Sequence, residues 1–384
     1  MTSSQDWDPR TPEVLADPIA AYDHMRRRCP VAHSDTLPHS VFRHADAMRI
    51  LLDHETFSNQ ASRHVSVPNS MDPPEHTVWR QLIEPYFGPD RMAAFEPVCR
   101  QICADLVAAL PRNAPVEIMS GLAHPFALRM QCAFLGWPDS LHAPLQQWIQ
   151  KKNAATLSGD AQALAAIATE FDETIRALLQ TRRDAGDQAP DDATTRLMRE
   201  TVYGRALAED EIVSILRNWT VGELGTMASS VGIIAHYLAS HPELQDRLRR
   251  QPALVRAAND EILRIHAPLI ANRRATTCPV DIGGTPIPAG ERVTLIWASA
   301  NRDESVFGDP DECRLDRDPG LNLLYGAGIH VCPGAPLARL ELEAMIQALL
   351  AGTRALAPVA GQPPMPAIYP ASGFRQAVLQ LHHA

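Results

Sequence analysis

The chain has 384 residues, 45% of them hydrophobic and 21% charged, enough for one large core or two small ones. A formal charge of -10 argues against general nucleic-acid or anionic-membrane binding, and lysine occurs only as Lys151 and Lys152. No window approaches the roughly 18 to 20 apolar residues of a membrane span, and MTSSQDWDPRTPEV at the start lacks the apolar core of a signal peptide. Seven cysteines, an odd number without a CxxC pair, suggest neither a disulfide framework nor a zinc ribbon. The expectation is a reducing, cytoplasmic setting.

In chain order, Pro18 to Arg28 is predicted to contain an amphipathic helix, Val31 to Phe42 a short hairpin and Ala45 to His54 a second helix. Phe57 to Asn69 is polar and irregular, so a loop is expected. MDPPEHTVWRQLIEPYF then starts a helix, with Asp72 as its cap and Pro73 or Pro74 in its first turn. His76 and Arg80 fall four apart on one face, a spacing that suits a grip on paired carboxylates. It equally suits a solvated face, or an Arg80–Glu84 pair. Helical patterns follow over Arg91–Leu110, Pro125–Leu135 and Glu170–Arg182, with a polar loop over 183–195. Cys99 and Cys103, one turn apart in an apolar segment, read as reduced core thiols.

The longest helical pattern runs from Leu207 to Leu244. Its first turn is acidic (Glu209, Asp210, Glu211) and His241-Pro242 marks its end. It is apolar on nearly all sides from Ile212 to Leu238, which places it through the core. Gly222 and Gly225 open a groove beside Thr226, whose hydroxyl is expected to bond the Gly222 carbonyl and bend the helix. Glu223 lies three residues before Thr226, on a similar face. PALVRAANDEILRIH, residues 252 to 266, forms a further helix, with Glu261 and Arg264 paired. Residues 271 to 303 alternate like strands around a Gly-Gly turn, and Gln376 to Leu381 ends the chain as a strand.

The stretch LYGAGIHVCPGAPLARLE, Leu324 to Glu341, holds Cys332 in a loop with Gly326, Gly328 and Gly334, and a helix follows at once. A cysteine just before a helix N-terminus is expected to favour its thiolate. A thiolate beside a glycine-lined surface suits an axial haem ligand.

This run resembles the haem-binding signature of the cytochrome P-450 family, with Tyr325 where the family usually has phenylalanine. The DPPEH run with His76 and Arg80 resembles the family's C helix, the segment around Thr226 its oxygen-activating helix, and Glu261-x-x-Arg264 its structural ion pair, closed by Arg314 or Arg317. The resemblance spans essentially the whole chain. It implies a mainly α fold with a small β region in a single domain, 1–384, of the soluble bacterial type. It implies haem b held by Cys332 on the iron, by His76, Arg80, Arg274 (or Arg273) and His330 on the propionates, and by a backbone containing Gly326 and Gly334. The family usually has an acid directly before the threonine; here that residue is Gly225. Glu223, or water held by Thr226, is expected to deliver protons instead, unless Glu223 is structural.

The implied reaction is monooxygenation with O2 of a small or medium hydrophobic substrate, by hydroxylation, dealkylation or heteroatom oxidation. Electrons are expected from a separate ferredoxin and its reductase, docked near Arg100 and Arg339. The loop Val65 to Asn69, Val221, Leu224, Pro268 to Ala271 and Ser372 to Phe374 should line the pocket. A similarity to haem domains of self-sufficient P-450 proteins suggests aromatic or thioether-like substrates. The alternatives are a peroxide-driven peroxygenase or peroxidase, prompted by Gly225, and a non-catalytic haem sensor.

Overall fold

The computed structural model describes residues 7–34, 37–61, 66–112 and 114–383. Val65, expected at the pocket, lies outside them. The helix Glu209–Ser240 runs through the main core, as its all-round apolar sequence requires. Glu211 reaches back to the Ala208 N–H at 2.7 Å, and Arg176 and Arg183 pair with Asp210 and Glu209. These contacts satisfy the start of the helix and offset its acidic turn. At the other end the His241 ring meets the Tyr237 carbonyl at 2.7 Å, and Pro242 opens the next helix.

Around this axis pack His124–Leu135, Ala161–Ala185, Val255–His266 and Ala335–Gly352, the last also against Pro89–Ala108. A buried Gln131 amide donates to Thr220 at 3.0 Å, tying a neighbouring helix to the axis. Ser66 and Val67 are held to the same axis by Asn218 and Ser214, which fixes the end of the preceding loop over it.

The β structure is small. One sheet has the order Val31–Ala32, His39–Val41, Arg292–Ile296, Ala271–Thr276, Phe57–Ser58. Val378–His383 lies between Thr353–Pro358 and Pro115–Glu117 in another. The register pairs Arg274 with Val293 and Arg273 with Thr294. Strand alternation therefore buries the Arg274 side chain and leaves Arg273 exposed.

Several expectations change. Asp72 does not cap the helix Glu75–Ile83; its carboxylate accepts from Ser58 and the Asn59 N–H instead. Phe57–Ser58 adds a short edge strand to the segment expected as loop, and Ala193–Leu197 is helical within the polar stretch 183–195. His142–Ser158 forms a helix through a stretch of small residues with no clear period.

Buried ion pairs lock the helices to the segment before the cysteine loop. Arg264, fully buried, binds Glu261 through both Nε and a terminal nitrogen at 2.8 and 2.9 Å. Arg317 donates to the same carboxylate at 2.8 Å. Between the two candidates for this role, Arg317 supplies the side chain, whereas Arg314 contributes only its backbone N–H. All seven cysteines are free thiols, as their number and spacing suggest.

Candidate functional site

The cysteine loop is closed by its own backbone: the Cys332 N–H donates to the Tyr325 carbonyl at 2.8 Å. Gly328 has φ +70°, and a Cβ there would stand 2.3 Å from the Leu51 carbonyl oxygen, so the loop presses backbone to backbone on the helix His44–Leu52. A Cβ at Gly334 would stand 3.8 Å from both the Cys332 sulfur and the Phe87 ring. Cys332 is exposed at this surface.

The electrostatics of the thiol differ from the expectation. Burial of its surroundings pushes its pKa up, and the Glu223 carboxyl adds to this. The N–H groups of Gly334 and Ala335 and the Arg80 guanidinium pull the other way without prevailing. The helix start at Ala335 alone does not make a thiolate. A bound cation does so outright, because metal coordination deprotonates a thiol.

Beside the loop stand His76, His330 and Arg274. The two imidazoles lie 4.1 Å apart between ring centres. Burial, then the neighbouring positive groups, holds His76 down at about 4 and His330 at about 3. Burial also lowers Arg274, to about 10. Among the described residues neither nitrogen of His76 has a hydrogen bond, nor does Nε2 of His330, which stands 4.0 Å from an Asp72 carboxylate oxygen, and Arg274 donates only to the adjacent Arg273 carbonyl. Buried ring nitrogens without hydrogen bonds, beside arginines, are unfavourable unless a further acceptor joins them. Two carboxylates would satisfy this group. Arg80 is different: it already donates to the Val331 carbonyl at 2.8 Å and pairs with Glu84 at 3.0 Å. It thereby braces the residue before Cys332, and the Glu84 pairing weighed from the sequence is present.

Across the site, Thr226 donates to the Gly222 carbonyl at 2.6 Å, the bond its spacing suggests. Gly222 and Gly225 are exposed, and a Cβ on either would meet nothing within 4 Å. A flat ligand has room against this face. The exposed sulfur, the unbonded ring nitrogens beside Arg274 and the glycine-smooth helix together fit a haem: a ligand for iron, donors for propionates and clearance for the macrocycle.

Glu223 does not share this open face. Its carboxyl faces that of Glu341, a buried residue of the helix Ala335–Gly352, and Glu223 is itself half-buried. Neither Glu341 oxygen, nor Glu223 Oε1, has a hydrogen-bond partner among the described residues. Burial raises Glu223 to about 7, and burial together with Glu223 raises Glu341 well above the ordinary carboxyl range. Two carboxyls facing each other away from water favour a proton on at least one of them. Sequence reasoning missed Glu341, whose only signal was an acid among apolar neighbours on a core helix.

Of the expected pocket residues, Val221 and Leu269 are exposed, whereas Leu224 is buried in the main core. Arg100 and Arg339 are not free cations: Arg100 pairs with Glu96, and Arg339 with Asp260.

The fold and this site fit a haem protein. The Cytochrome P450 family model matches residues 31–368. The beta-dihydromenaquinone-9 omega-hydroxylase of Mycobacterium tuberculosis is 30% identical over 357 residues, covering 90% of this chain and 72% of the relative. The erythromycin C-12 hydroxylase of Saccharopolyspora erythraea is 30% identical, covering 88% of each. Among solved structures, a mutant of P450 EryK in complex with erythromycin B superposes with a TM-score of 0.87 at 26% identity, covering 96% of this chain and 97% of that one. CYP109Q5 from Chondromyces apiculatus gives 0.86 at 29% identity, covering 97% of each.

The chain belongs to the cytochrome P450 family. It is a haem-dependent monooxygenase that uses O2, an organic substrate and a redox partner, and the named hydroxylases and epoxidases favour this over the peroxide-driven and sensor alternatives. No helix among the described residues is long and apolar enough to cross a membrane.

Proposed function

We propose that the whole chain is one catalytic domain that binds haem b and inserts an oxygen atom into a hydrophobic organic molecule, with electrons from a ferredoxin and its reductase. The exposed Cys332 sulfur, next to His76 and His330 ring nitrogens that lack hydrogen bonds and to Arg274, bonded only to the adjacent carbonyl, carries the assignment. A thiolate-ligated haem, when bound, supplies reductive cleavage of the O–O bond. Everything else falls to the side chains. His76, Arg274 and His330 receive the propionates; Arg80 holds the Val331 carbonyl and so the approach of Cys332. The loop backbone at Gly326 and Gly334 sets the depth of the sulfur. Thr226 offers a hydroxyl beside the open helix face and keeps it oriented through the Gly222 carbonyl.

Glu223 is the proton reserve in this reading, not by lying next to Thr226 but by sharing a proton with Glu341. One such carboxyl pair can release a proton near neutral pH and regain it from solvent, the property a proton relay needs. Gly225 leaves the usual acid position empty, so the pair supplies the acidity from two residues further back. The apolar surface at Val221 and Leu269 favours a substrate of mainly hydrocarbon character. Relatives that hydroxylate erythromycin and a menaquinone, and a CYP109E1 complex with testosterone, support a bulky apolar class.

The test is threefold. The reduced protein under carbon monoxide should show the red-shifted Soret band of thiolate ligation. Hydrophobic candidates should shift the ferric spin state. Turnover under labelled O2 with a ferredoxin pair should place one labelled atom in the product. A normal-position Soret band under native conditions would overturn the assignment.

A further inference from the structure

A cavity lies beside this site and shares Ile270, Ser372, Gly373 and Phe374 with the expected pocket lining. It encloses about 230 Å³ between the far half of the helix Glu209–Ser240, the end of the helix Val255–His266, the first helices of the chain and the hairpin around Gly373. A dry cavity of about 150 Å³ is enough for benzene, so this one admits a single ring with a small substituent. Its walls are chiefly apolar, including Ile233, Ile270 and Phe374.

Two imidazoles interrupt that lining, together with Tyr22, Tyr237, Tyr369 and Ser372. His236 leans on the Phe374 ring, with centres 4.9 Å apart, and His266 on Tyr237 at 5.5 Å. Neither ring makes a hydrogen bond to the described residues, and neither is sealed away from the cavity. Burial is the first cause holding both below the ordinary histidine range; Arg302 and Asp311 act in opposite senses on His266, and His241 lowers both. Neutral imidazoles each offer a donor or an acceptor. The one carboxylate on the rim, Asp17, is engaged in capping the Ala20 N–H. The chemistry therefore suits a neutral molecule with one polar hydrogen, and suits neither an anion nor a cation.

The walls are mechanically joined to the haem side. Ser229, one turn beyond Thr226, donates to the Ser372 carbonyl at 2.8 Å. The Ser372 hydroxyl donates to the carbonyl of Ala267. Ala267 holds φ +36°, a strained value for a residue with a Cβ, between His266 on the cavity and the pocket segment at Pro268. Gly373 packs so closely on Ile233 that a Cβ would stand 3.2 Å from it. Three segments expected to border the substrate thus meet in one knot, whose other side is the cavity.

We propose that this cavity is an effector site for a neutral, single-ring aromatic bearing one hydroxyl, and that its occupant alters affinity in the haem pocket through the Ser229–Ser372–Ala267 contacts. The binding step stands apart from the oxygenase reading; the coupling rests on it.

The test uses 4-ethylphenol on the holoenzyme. The haem pocket is first filled with 4-phenylimidazole, which the Soret band follows. Calorimetry should then still detect one 4-ethylphenol per chain without any Soret change. Ethylbenzene should bind about tenfold more weakly, and His236→Leu should abolish that preference. Ile233→Trp, which fills the cavity, should remove the silent binding while the carbon monoxide band is retained. In the wild type, 4-ethylphenol should move the 4-phenylimidazole midpoint about fivefold, and in Ile233→Trp it should not. No heat in the blocked wild-type protein, or silent binding that survives Ile233→Trp, overturns the site. A midpoint that stays fixed while the silent site fills overturns the coupling. Failure of 4-phenylimidazole to shift the Soret band would instead count against the haem assignment, and the loss of 4-ethylphenol heat in Ile233→Trp would then remain as the test of the cavity.

Discussion

Replacing Glu223 by glutamine tests the carboxyl pair directly. In the native chain the Glu223 carboxyl faces Glu341 and no cation, and burial lifts it from 4.5 to about 7. Between these values the folded protein holds a proton that the unfolded chain has released. Stability therefore falls as pH rises through this window and levels off above about 7. One such carboxyl is worth about 3 kcal/mol over the whole interval, an upper figure because water entry and relaxation reduce it. Glutamine keeps the shape, offers an amide donor to Glu341 and cannot ionise. The variant should match the wild type near pH 5 and exceed it by up to about 3 kcal/mol at pH 8. Equilibrium urea unfolding of the holoprotein at pH 5, 6, 7 and 8 reads this. An infrared carbonyl band of a protonated carboxyl at neutral pH, lost or shifted in the variant, reports the pair independently. If wild-type and variant stabilities run parallel with pH, the buried shared proton is wrong, and with it the proton source proposed for catalysis.

Cys332→Ser should abolish the red-shifted carbon monoxide band while circular dichroism stays native, since the residue anchors metal rather than core. Gly328→Ala forces a Cβ onto the Leu51 carbonyl at a left-handed φ; a loss of about 2 to 3 kcal/mol and reduced haem content are expected, read by denaturation and the haem-to-protein absorbance ratio. Arg264→Ala strips the fully buried cation from Glu261 and should lower stability by about 3 kcal/mol or more, despite Arg317 remaining; an unchanged urea midpoint would contradict the network. Arg274→Leu should speed haem transfer to apomyoglobin, whereas Arg273→Leu on the exposed face should not; equal rates for the two would remove Arg274 from the propionate clamp.

The sequence by itself determined those features that depend on neighbours along the chain. The glycines around Cys332 and the helix starting at Ala335 form one continuous turn. The Thr226 hydroxyl reaches the Gly222 carbonyl because a helix puts residues four apart within reach. The axis Glu209–Ser240 is legible because it is apolar all round and bounded by an acidic start and a proline. Glu261 and Arg264 pair at helical spacing for the same reason.

Tertiary packing decided the rest. Strand parity against Arg292–Ile296, not composition, separated buried Arg274 from exposed Arg273. Leu224 and Val221 look alike in sequence, yet helix rotation sends one into the core and leaves the other open. The Cys332 thiol, favoured as a thiolate by its place before a helix, has its pKa pushed up by surroundings assembled from distant segments, so a bound cation is what would draw off the proton. Glu223 found its partner 118 residues away on another helix. Burial and charge proximity are sums over three-dimensional neighbours, so a carboxyl's pKa and a cation's freedom are fixed only once the helices have met.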